Sequence, residues 1–171
     1  MKSDKYLYPP KLLTLPEEVL RNILNFLNYD TIANLRLTCH RFNYLCGSVL
    51  NIQFKKLRIQ VKNYYNLEIE MKRRLPLTNR NQIITFLSDE LQKLQSIFGK
   101  HIDNKCCCFF AGKILDEAYN IYNIMKMNDY FLDSVGTHKI PYALQIMNAF
   151  FILFKKLQQY LDLSNHFKQY F

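Results

Sequence analysis

Apolar residues recur at intervals of three and four along most of the chain, which is the spacing of one face of an α-helix. The first such run consists of Val19, Leu20, Ile23, Leu24 and Leu27. Pro16 suits the first turn of this helix, where a missing N–H breaks no hydrogen bond. Thr14 and Glu17 have the spacing of a capping box. The pattern therefore predicts a short helix beginning at Pro16, and a helix of this length needs a partner surface because isolated helices below ~12–15 residues are marginal in water.

A polar turn at 28–30 separates this helix from the next, and Asp30 is well suited to cap the second helix. The apolar spacing continues through the second helix and into a third with Ile32, Leu35, Leu37, Cys39, Phe42 and Leu45. Gly47 and Ser48 are predicted to end this unit, with Ser48 capping the next helix. Spacing alone thus predicts a helical hairpin at the start of an all-α domain.

Two long helices are predicted next. The first seam runs in alternating steps of four and three through Leu50, Phe54, Leu57, Val61, Tyr64, Glu68, Met71 and Leu75. It predicts a helix from about Ser48 to Leu75, ~40 Å long at 1.5 Å per residue, that stops before Pro76. The second begins near Asn79 or Asn81 with the seam Ile84, Leu87, Leu91, Leu94 and Phe98. A short turn containing proline favours antiparallel packing within one chain, and an intermolecular coiled coil is the alternative.

Two further helices are predicted in the last third of the chain. The first starts at Lys113 and is outlined by Ile114, Leu115, Ala118, Ile121, Tyr122 and Met125. Asp116 and Glu117 fall in its first turn, where they complement the helix dipole and are interpreted as facing solvent. After a polar break at 128–139, the last helix starts near Pro141 with the seam Ala143, Met147, Phe150, Phe154, Leu157 and Leu161. The body after the hairpin is therefore predicted to contain about four helices.

Composition agrees with an all-α class, because 171 residues with 49% hydrophobic content include only four Gly and five Pro to form turns. The net charge of +9 is concentrated between Gly47 and Lys100, where ten Lys and Arg face four Asp and Glu. The densest part is a basic patch formed by Lys72, Arg73, Arg74 and Arg80. Such a patch is either the solvated face of a helix or a contact for nucleic acid, anionic lipid, an acidic partner or the nuclear import machinery.

Candidate chemistry is sparse. The run Cys106–Cys108 lacks the spaced ligands of a zinc site, with His101 as the one nearby imidazole, so it is interpreted as buried structural thiols. We expect no catalytic residue, no metal and no cofactor.

The odd number of five cysteines favours a reducing compartment. The longest apolar stretch, 140–154, is shorter than the ~18 residues of a spanning helix, so we expect a soluble, intracellular protein with no membrane partner.

The identities of the residues in the N-terminal helices resemble an F-box. The matching positions are Leu15-Pro16, Glu18-Val19-Leu20, Ile23-Leu24, Phe26-Leu27, Asp30, Leu35-Arg36, Cys39, Arg41-Phe42 and Leu45-Cys46. In that family the motif docks on the S-phase kinase-associated adaptor (the Skp adaptor) of cullin-RING ubiquitin ligases. The resemblance implies that the adaptor is bound by Leu15, Pro16, Val19, Leu20, Ile23, Leu24, Leu27, Asp30, Leu35 and Phe42. Seven of these are expected to stay uncovered until the adaptor binds, namely Leu15, Pro16, Val19, Leu20, Ile23, Leu24 and Leu35.

The resemblance divides the chain into a flexible tail at 1–11, an F-box at 12–50 and a helical body at 51–171 that binds a substrate or another partner. The run from Lys100 to Tyr119 also resembles a stretch of one F-box family member. The implied function is a substrate receptor that does no bond chemistry and holds an unknown protein near the ubiquitin-charged enzyme for ubiquitination and degradation.

Three alternatives come from other functional classes. One is a basic helical protein associated with chromatin or nucleic acid, although direct contact with nucleic acid is not expected because the sequence contains no known reading-helix motif. Another is an F-box protein that binds the Skp adaptor outside a ligase, and the third is an enzyme. The basic patch favours the nucleus over the cytoplasm as the location.

Overall fold

The described part of the chain is helical. The computed structural model describes residues 11–72, 79–103 and 112–127, together with the single positions 148, 151, 152, 155 and 159. A 3₁₀ helix, Lys11–Thr14, precedes α1 (Glu17–Leu24), α2 (Tyr29–Leu35), α3 (His40–Lys72), α4 (Asn79–Asp103) and α5 (Gly112–Met127). The single positions are also helical, and no strand occurs among these residues. The predicted all-α class is confirmed.

The two longest helices, α3 and α4, pack antiparallel as predicted. The guanidinium of Arg58 donates to Oε1 of Gln95 at 2.6 Å, and Nζ of Lys55 lies 2.9 Å from Oδ1 of Asp103. Arg58 follows Lys55 on α3, whereas its partner Gln95 precedes Asp103 on α4. The two helices therefore run in opposite directions. The predicted start of α4 at Asn79 is confirmed.

The predicted break at Gly47 and Ser48 is wrong, because α3 runs without interruption from His40 to Lys72. A glycine inside a helix costs only about 1 kcal/mol relative to alanine. The neighbouring Leu45, Cys46, Val49 and Leu50 are all buried, and their burial outweighs that cost. The predicted division between F-box and body at residue 50 consequently falls inside a continuous helix.

One hydrophobic core joins the N-terminal helices to the rest of the fold. Its buried members are Leu20, Leu24 and Ile32 from α1 and α2, Phe42, Leu45, Cys46, Val49, Leu50, Phe54, Leu57 and Val61 from α3, Ile83, Ile84, Leu87, Leu91, Leu94, Phe98 and Ile102 from α4, and Ile114, Leu115, Ala118, Ile121, Tyr122 and Met125 from α5. The seams predicted for α4 and α5 are buried in full. The N-terminal helices therefore share one core with the rest of the described fold.

Helix α5 runs parallel to α3 and is held to it by tyrosines. The hydroxyl of Tyr119 lies 3.2 Å from the backbone oxygen of Gln53, and the hydroxyl of Tyr64 donates to the backbone oxygen of Met125 at 3.3 Å. The rings of Tyr64 and Tyr122 meet edge to face at 6.1 Å between centroids. Residue numbers rise together along both helices, so α3 and α5 share a direction.

Several predicted features lie outside the described residues. These are the tail at 1–10, the run Cys106–Cys108, the side chain of His101, the break at 128–139, the start of the last helix near Pro141, its apolar seam and the side chains of the basic patch. A ring of the last helix is described, since the centroid of Phe151 lies 6.3 Å from that of Phe86 on α4. Within the described ranges no helix is long and apolar enough to cross a membrane, and no cluster of three metal-ligating side chains occurs.

Candidate adaptor-binding surface

Helix α1 divides its apolar residues between two faces. Leu20 and Leu24 point into the core and are buried, so the prediction that they stay uncovered until an adaptor binds is wrong for these two. Val19 and Ile23 lie on the adjacent half of the apolar stripe, ~100° around the helix from Leu20 and Leu24, and remain 43% and 40% exposed. The burial arises because α3 packs against α1 and covers one half of the apolar stripe. The other half remains open to solvent.

The exposed side of α1 continues into the turn after it. Phe26 lies three residues after Ile23 and is 90% exposed. An exposed phenylalanine is unfavourable in water, so a solvent-facing set of Val19, Ile23 and Phe26 is typical of a surface that another protein covers. We call these three residues the α1 patch. The sequence comparison with the F-box pattern included Phe26, but the predicted binding residues omitted it.

The remaining predicted binding residues have mixed environments. Pro16 and Asp30 are exposed, whereas Leu15, Leu27 and Leu35 are half-buried against the core. Phe42 belongs to the core and is 9% exposed. Pro16 therefore lies at the surface, three residues before the first residue of the α1 patch. Phe42, like Leu20 and Leu24, lies in the interior.

Two arginines fix α1 and the segment before it on α3. Arg41 donates to the backbone oxygens of Leu13 and Leu15, the latter at 2.6 Å. Arg21 contacts Oε1 of Glu17 at 2.6 Å and donates to Oγ of Ser48 at 3.3 Å. The α1 patch consequently sits on a segment that is held to α3 before α1 by Arg41 and within α1 by Arg21.

The start of α1 does not have the register of the predicted capping box. The N-cap position is Pro16 and has no side-chain cap bond, and Thr14 lies two residues before it. Glu17 pairs with Arg21 one turn later. Glu17 and Glu18 still occupy the first turn, where carboxylates complement the helix dipole.

Helix α2 begins at a cap that comes from two parts of the chain. Asn28, and not the predicted Asp30, is the N-cap residue, and its Oδ1 accepts from the backbone N–H of Thr31 at 2.8 Å. The N–H groups of Tyr29 and Asp30 donate to Oδ1 and Oδ2 of Asp116 at 2.8 and 2.9 Å. The interpretation of Asp116 as solvent-facing is therefore wrong. One carboxylate on α5 satisfies the first two free N–H groups of α2.

Two tyrosines extend this junction between α2 and α5. The rings of Tyr29 and Tyr119 stack at 5.2 Å between centroids, and the Tyr119 hydroxyl also lies 3.0 Å from Oε1 of Gln53 on α3. Burial, and then the neighbouring Tyr29, raises the pKa of Tyr119 well above its ordinary value. Burial is also the main cause that raises the pKa of Tyr29. Both hydroxyls therefore stay protonated at neutral pH, and the contact among the three helices is preserved.

Replacing Asp116 by alanine is expected to lower the free energy of unfolding by about 1–2 kcal/mol, the usual effect of removing an N-terminal cap. Asp116→Asn keeps one acceptor oxygen and should lose less. The measurement is urea denaturation followed by circular dichroism, with Asp89→Ala, an exposed carboxylate on α4, as the matched control. Equal stability of Asp116→Ala and Asp89→Ala would contradict a capping role.

Comparisons with known proteins agree with the N-terminal resemblance. The F-box domain family matches residues 12–53. The chain is 35% identical to F-box only protein 28 of Homo sapiens and of Bos taurus over 121 residues, and 34% identical to that of Mus musculus. These alignments cover 64% of this chain and 32% of each relative, so the chain spans about a third of the length of the curated relatives that it matches. No solved structure matches the chain.

The matched domain coincides with the helices that carry the candidate surface. Residues 12–53 include α1, α2 and the first part of α3, and with them the α1 patch and the arginines that hold it. The aligned 121 residues are longer than the domain, so the similarity extends into the helical body. Residues 12–53 therefore match the F-box domain family, and the chain is similar over 64% of its length to F-box only protein 28.

Proposed function

We propose that this chain is the substrate receptor of a Skp–cullin–F-box ubiquitin ligase, and that the Skp adaptor binds the α1 patch. One observation supports this proposal above the others. The segment that matches an F-box domain presents Val19, Ile23 and Phe26 to solvent, although the adjacent half of the apolar stripe on α1 is buried. An F-box has to offer such an uncovered surface, because it binds the adaptor while it remains attached to its own fold.

The energetics of the α1 patch suit a stable protein contact. Covering apolar surface contributes ~25 cal/mol per Å², and fully burying a Val, Ile or Phe side chain contributes roughly 1.5–3 kcal/mol. Pro16 and the half-buried Leu15, Leu27 and Leu35 add contact area around the patch. Leu20, Leu24 and Phe42 would act differently from the prediction, since they support α1 from inside and set the direction in which the patch faces.

The receptor would work by proximity and not by bond chemistry. A ligase accelerates transfer by holding the substrate lysine near the ubiquitin-charged enzyme, which converts an encounter in solution into a reaction within one complex. The position of the substrate-binding body relative to the F-box then matters. Helix α3 passes from one to the other without a break, and Asp116 joins α5 to the start of α2. The body at 51–171 would therefore hold a substrate in a fixed direction from the adaptor.

The proposal is tested by purifying the tagged full chain from cells. We expect the Skp adaptor and a cullin to be recovered together, and both to be lost from the double variant Val19→Ser with Ile23→Ser. Recovery of the adaptor without a cullin would favour the alternative of an F-box protein acting outside a ligase. Absence of the adaptor from the purified wild-type chain would contradict the proposal. Nuclear localisation through Lys72, Arg73, Arg74 and Arg80 stays a prediction.

A further inference from the structure

The outer face of α3 carries apolar residues that the fold leaves exposed. Ile52 and Ile59 are 55% and 61% exposed and lie seven residues apart, which places them two turns apart on one side of the helix. Tyr44 is exposed eight residues before Ile52, ~80° around the helix from it, and borders the same face. We call this set the α3 outer face. From Tyr44 to Lys62 it extends ~27 Å at 1.5 Å per residue, about the length of a five-turn helix.

The charge along the α3 outer face has one sign. The sequence has no Asp or Glu from Thr31 to Leu67. Lys56 and Lys62 are exposed beside the two isoleucines, whereas Lys55 pairs with Asp103 and Arg58 turns towards Gln95. The face therefore combines an apolar ridge with two lysines at its borders.

The α3 outer face is separate from the α1 patch. Ser48, which lies between Tyr44 and Ile52 around the helix, accepts a hydrogen bond from Arg21, so α1 borders the N-terminal end of that face. Arg21 lies on the side of α1 opposite Val19 and Ile23, since residues two apart on a helix are separated by ~200°. A protein bound to the α1 patch would thus leave the α3 outer face open.

We propose that the α3 outer face binds an acidic amphipathic helix of the protein that the receptor recruits. This inference rests on the proposed function for the identity of the recruited protein. The acidic and amphipathic character of the bound helix, however, follows from the residues of the α3 outer face. Ile52 and Ile59 have the heptad spacing at which one helix packs along another. Lys56 and Lys62 at the borders attract Glu and Asp on the incoming helix and disfavour basic partners.

Two other occupants fit the α3 outer face less well. A second copy of the chain, related by a two-fold axis, would place lysines against lysines because such an interface uses the same surface twice. Nucleic acid is bound through Lys and Arg contacts to phosphates, and two isoleucines in the middle of the face contribute nothing to that contact.

The test uses a designed helical peptide with leucines at heptad positions and glutamates at their borders, titrated against the full chain by fluorescence anisotropy. We expect this peptide to bind, and a version with lysines in place of the glutamates not to bind. Ile52→Ser with Ile59→Ser should weaken binding by ~10-fold or more. Lys56→Glu with Lys62→Glu should abolish binding of the acidic peptide and permit binding of the basic one. Leu67→Ser with Ile69→Ser, also exposed on α3, is the matched control and should leave the affinity unchanged.

Several results would overturn the inference. These are no binding of the acidic peptide, equal binding of both peptides, or an affinity insensitive to Ile52 and Ile59. Sedimentation showing a dimer that Ile52→Ser with Ile59→Ser dissociates would assign the face to a second copy. Salt-sensitive binding of random duplex DNA, or binding of phosphatidylserine vesicles, that depends on Lys56 and Lys62 would assign it to those ligands.

Binding of purified Skp adaptor is measured in parallel, so that failure of this inference and failure of the proposed function can be told apart. Ile52→Ser with Ile59→Ser should bind the adaptor as the wild type does. Loss of adaptor binding in that variant would make the α3 outer face part of the adaptor interface and overturn the inference. If the wild-type chain fails to bind the adaptor but binds the acidic peptide through Ile52 and Ile59, the proposed function fails and the assignment of the face stands.

Discussion

Replacing Gly112 by alanine is expected to lower the free energy of unfolding by about 3 kcal/mol or more, at the upper end of what overpacking usually costs. Gly112 begins α5 where that helix meets the start of α2. A Cβ atom there would lie 2.5 Å from the carbonyl carbon of Tyr29 and 2.8 Å from Cα of Asp30, and closer still to the Tyr29 carbonyl oxygen. These are backbone atoms, so no change of a side-chain rotamer can make room.

The backbone of α2 cannot easily move away from that methyl group. The N–H groups of Tyr29 and Asp30 are held by Asp116, and the Tyr29 ring is stacked on Tyr119. Any displacement of α2 that relieves the overlap would therefore stretch the cap and the ring contact together. The loss of stability should appear as a lower midpoint in urea denaturation with little change in its slope.

Gly99→Ala is the matched control, because Gly99 is also buried in a helix. Its added Cβ would lie 2.7 Å from Cδ of Gln95, which is the far part of a flexible side chain. Moving Gln95 costs its hydrogen bond with Arg58, whereas alanine gains about 1 kcal/mol over glycine inside a helix. These effects oppose each other, so stability should change by less than about 1 kcal/mol. Equal destabilisation by the two substitutions would contradict the close approach of α5 to α2.

The parts of the fold that follow from local periodicity could be predicted from the sequence. The seam of α4 from Ile84 to Phe98 and the seam of α5 from Ile114 to Met125 are buried as their spacing indicates. Each seam is set by 3.6 residues per turn and needs no knowledge of the neighbouring helix. The antiparallel arrangement of α3 and α4 followed from the short connection between them.

The errors arose where a distant part of the chain decides the outcome. Asp116 caps α2 from 86 and 87 residues away, and no local pattern near Asp30 indicates this. Gly47 resembles a helix end when its own propensity is considered, but the burial of residues on both sides keeps α3 continuous.

The exposure of residues at the candidate adaptor-binding surface also depends on a distant part of the chain. The sequence placed Leu20 and Leu24 on one apolar stripe with Val19 and Ile23, which is correct for an isolated helix. The stripe is wide enough to have two halves, and only the packing of α3 determines which half is covered. The resemblance to an F-box located the segment, and the structure was needed to separate the supporting residues from the exposed ones.

The double substitution Val19→Ser with Ile23→Ser is expected to weaken binding of the Skp adaptor by about 30- to 700-fold while leaving the fold nearly as stable as before. Each side chain is about 40% exposed, and covering the exposed area at ~25 cal/mol per Å² gives ~1–2 kcal/mol per residue, at ~1.4 kcal/mol for each factor of ten. Adding Phe26→Ser should weaken binding further, because Phe26 has more uncovered surface than either residue.

The contrasting pair is Leu20→Ala with Leu24→Ala on the buried side of the same helix. These substitutions should cost about 2–5 kcal/mol of stability each, because they leave cavities in the shared core. Their effect on adaptor binding should follow the fraction of unfolded protein. The measurements are calorimetric titration with purified Skp adaptor and urea denaturation of each variant. Full adaptor binding by a well-folded Val19→Ser and Ile23→Ser variant would contradict the assignment of the α1 patch, and the adaptor would then have to bind another surface of the F-box domain.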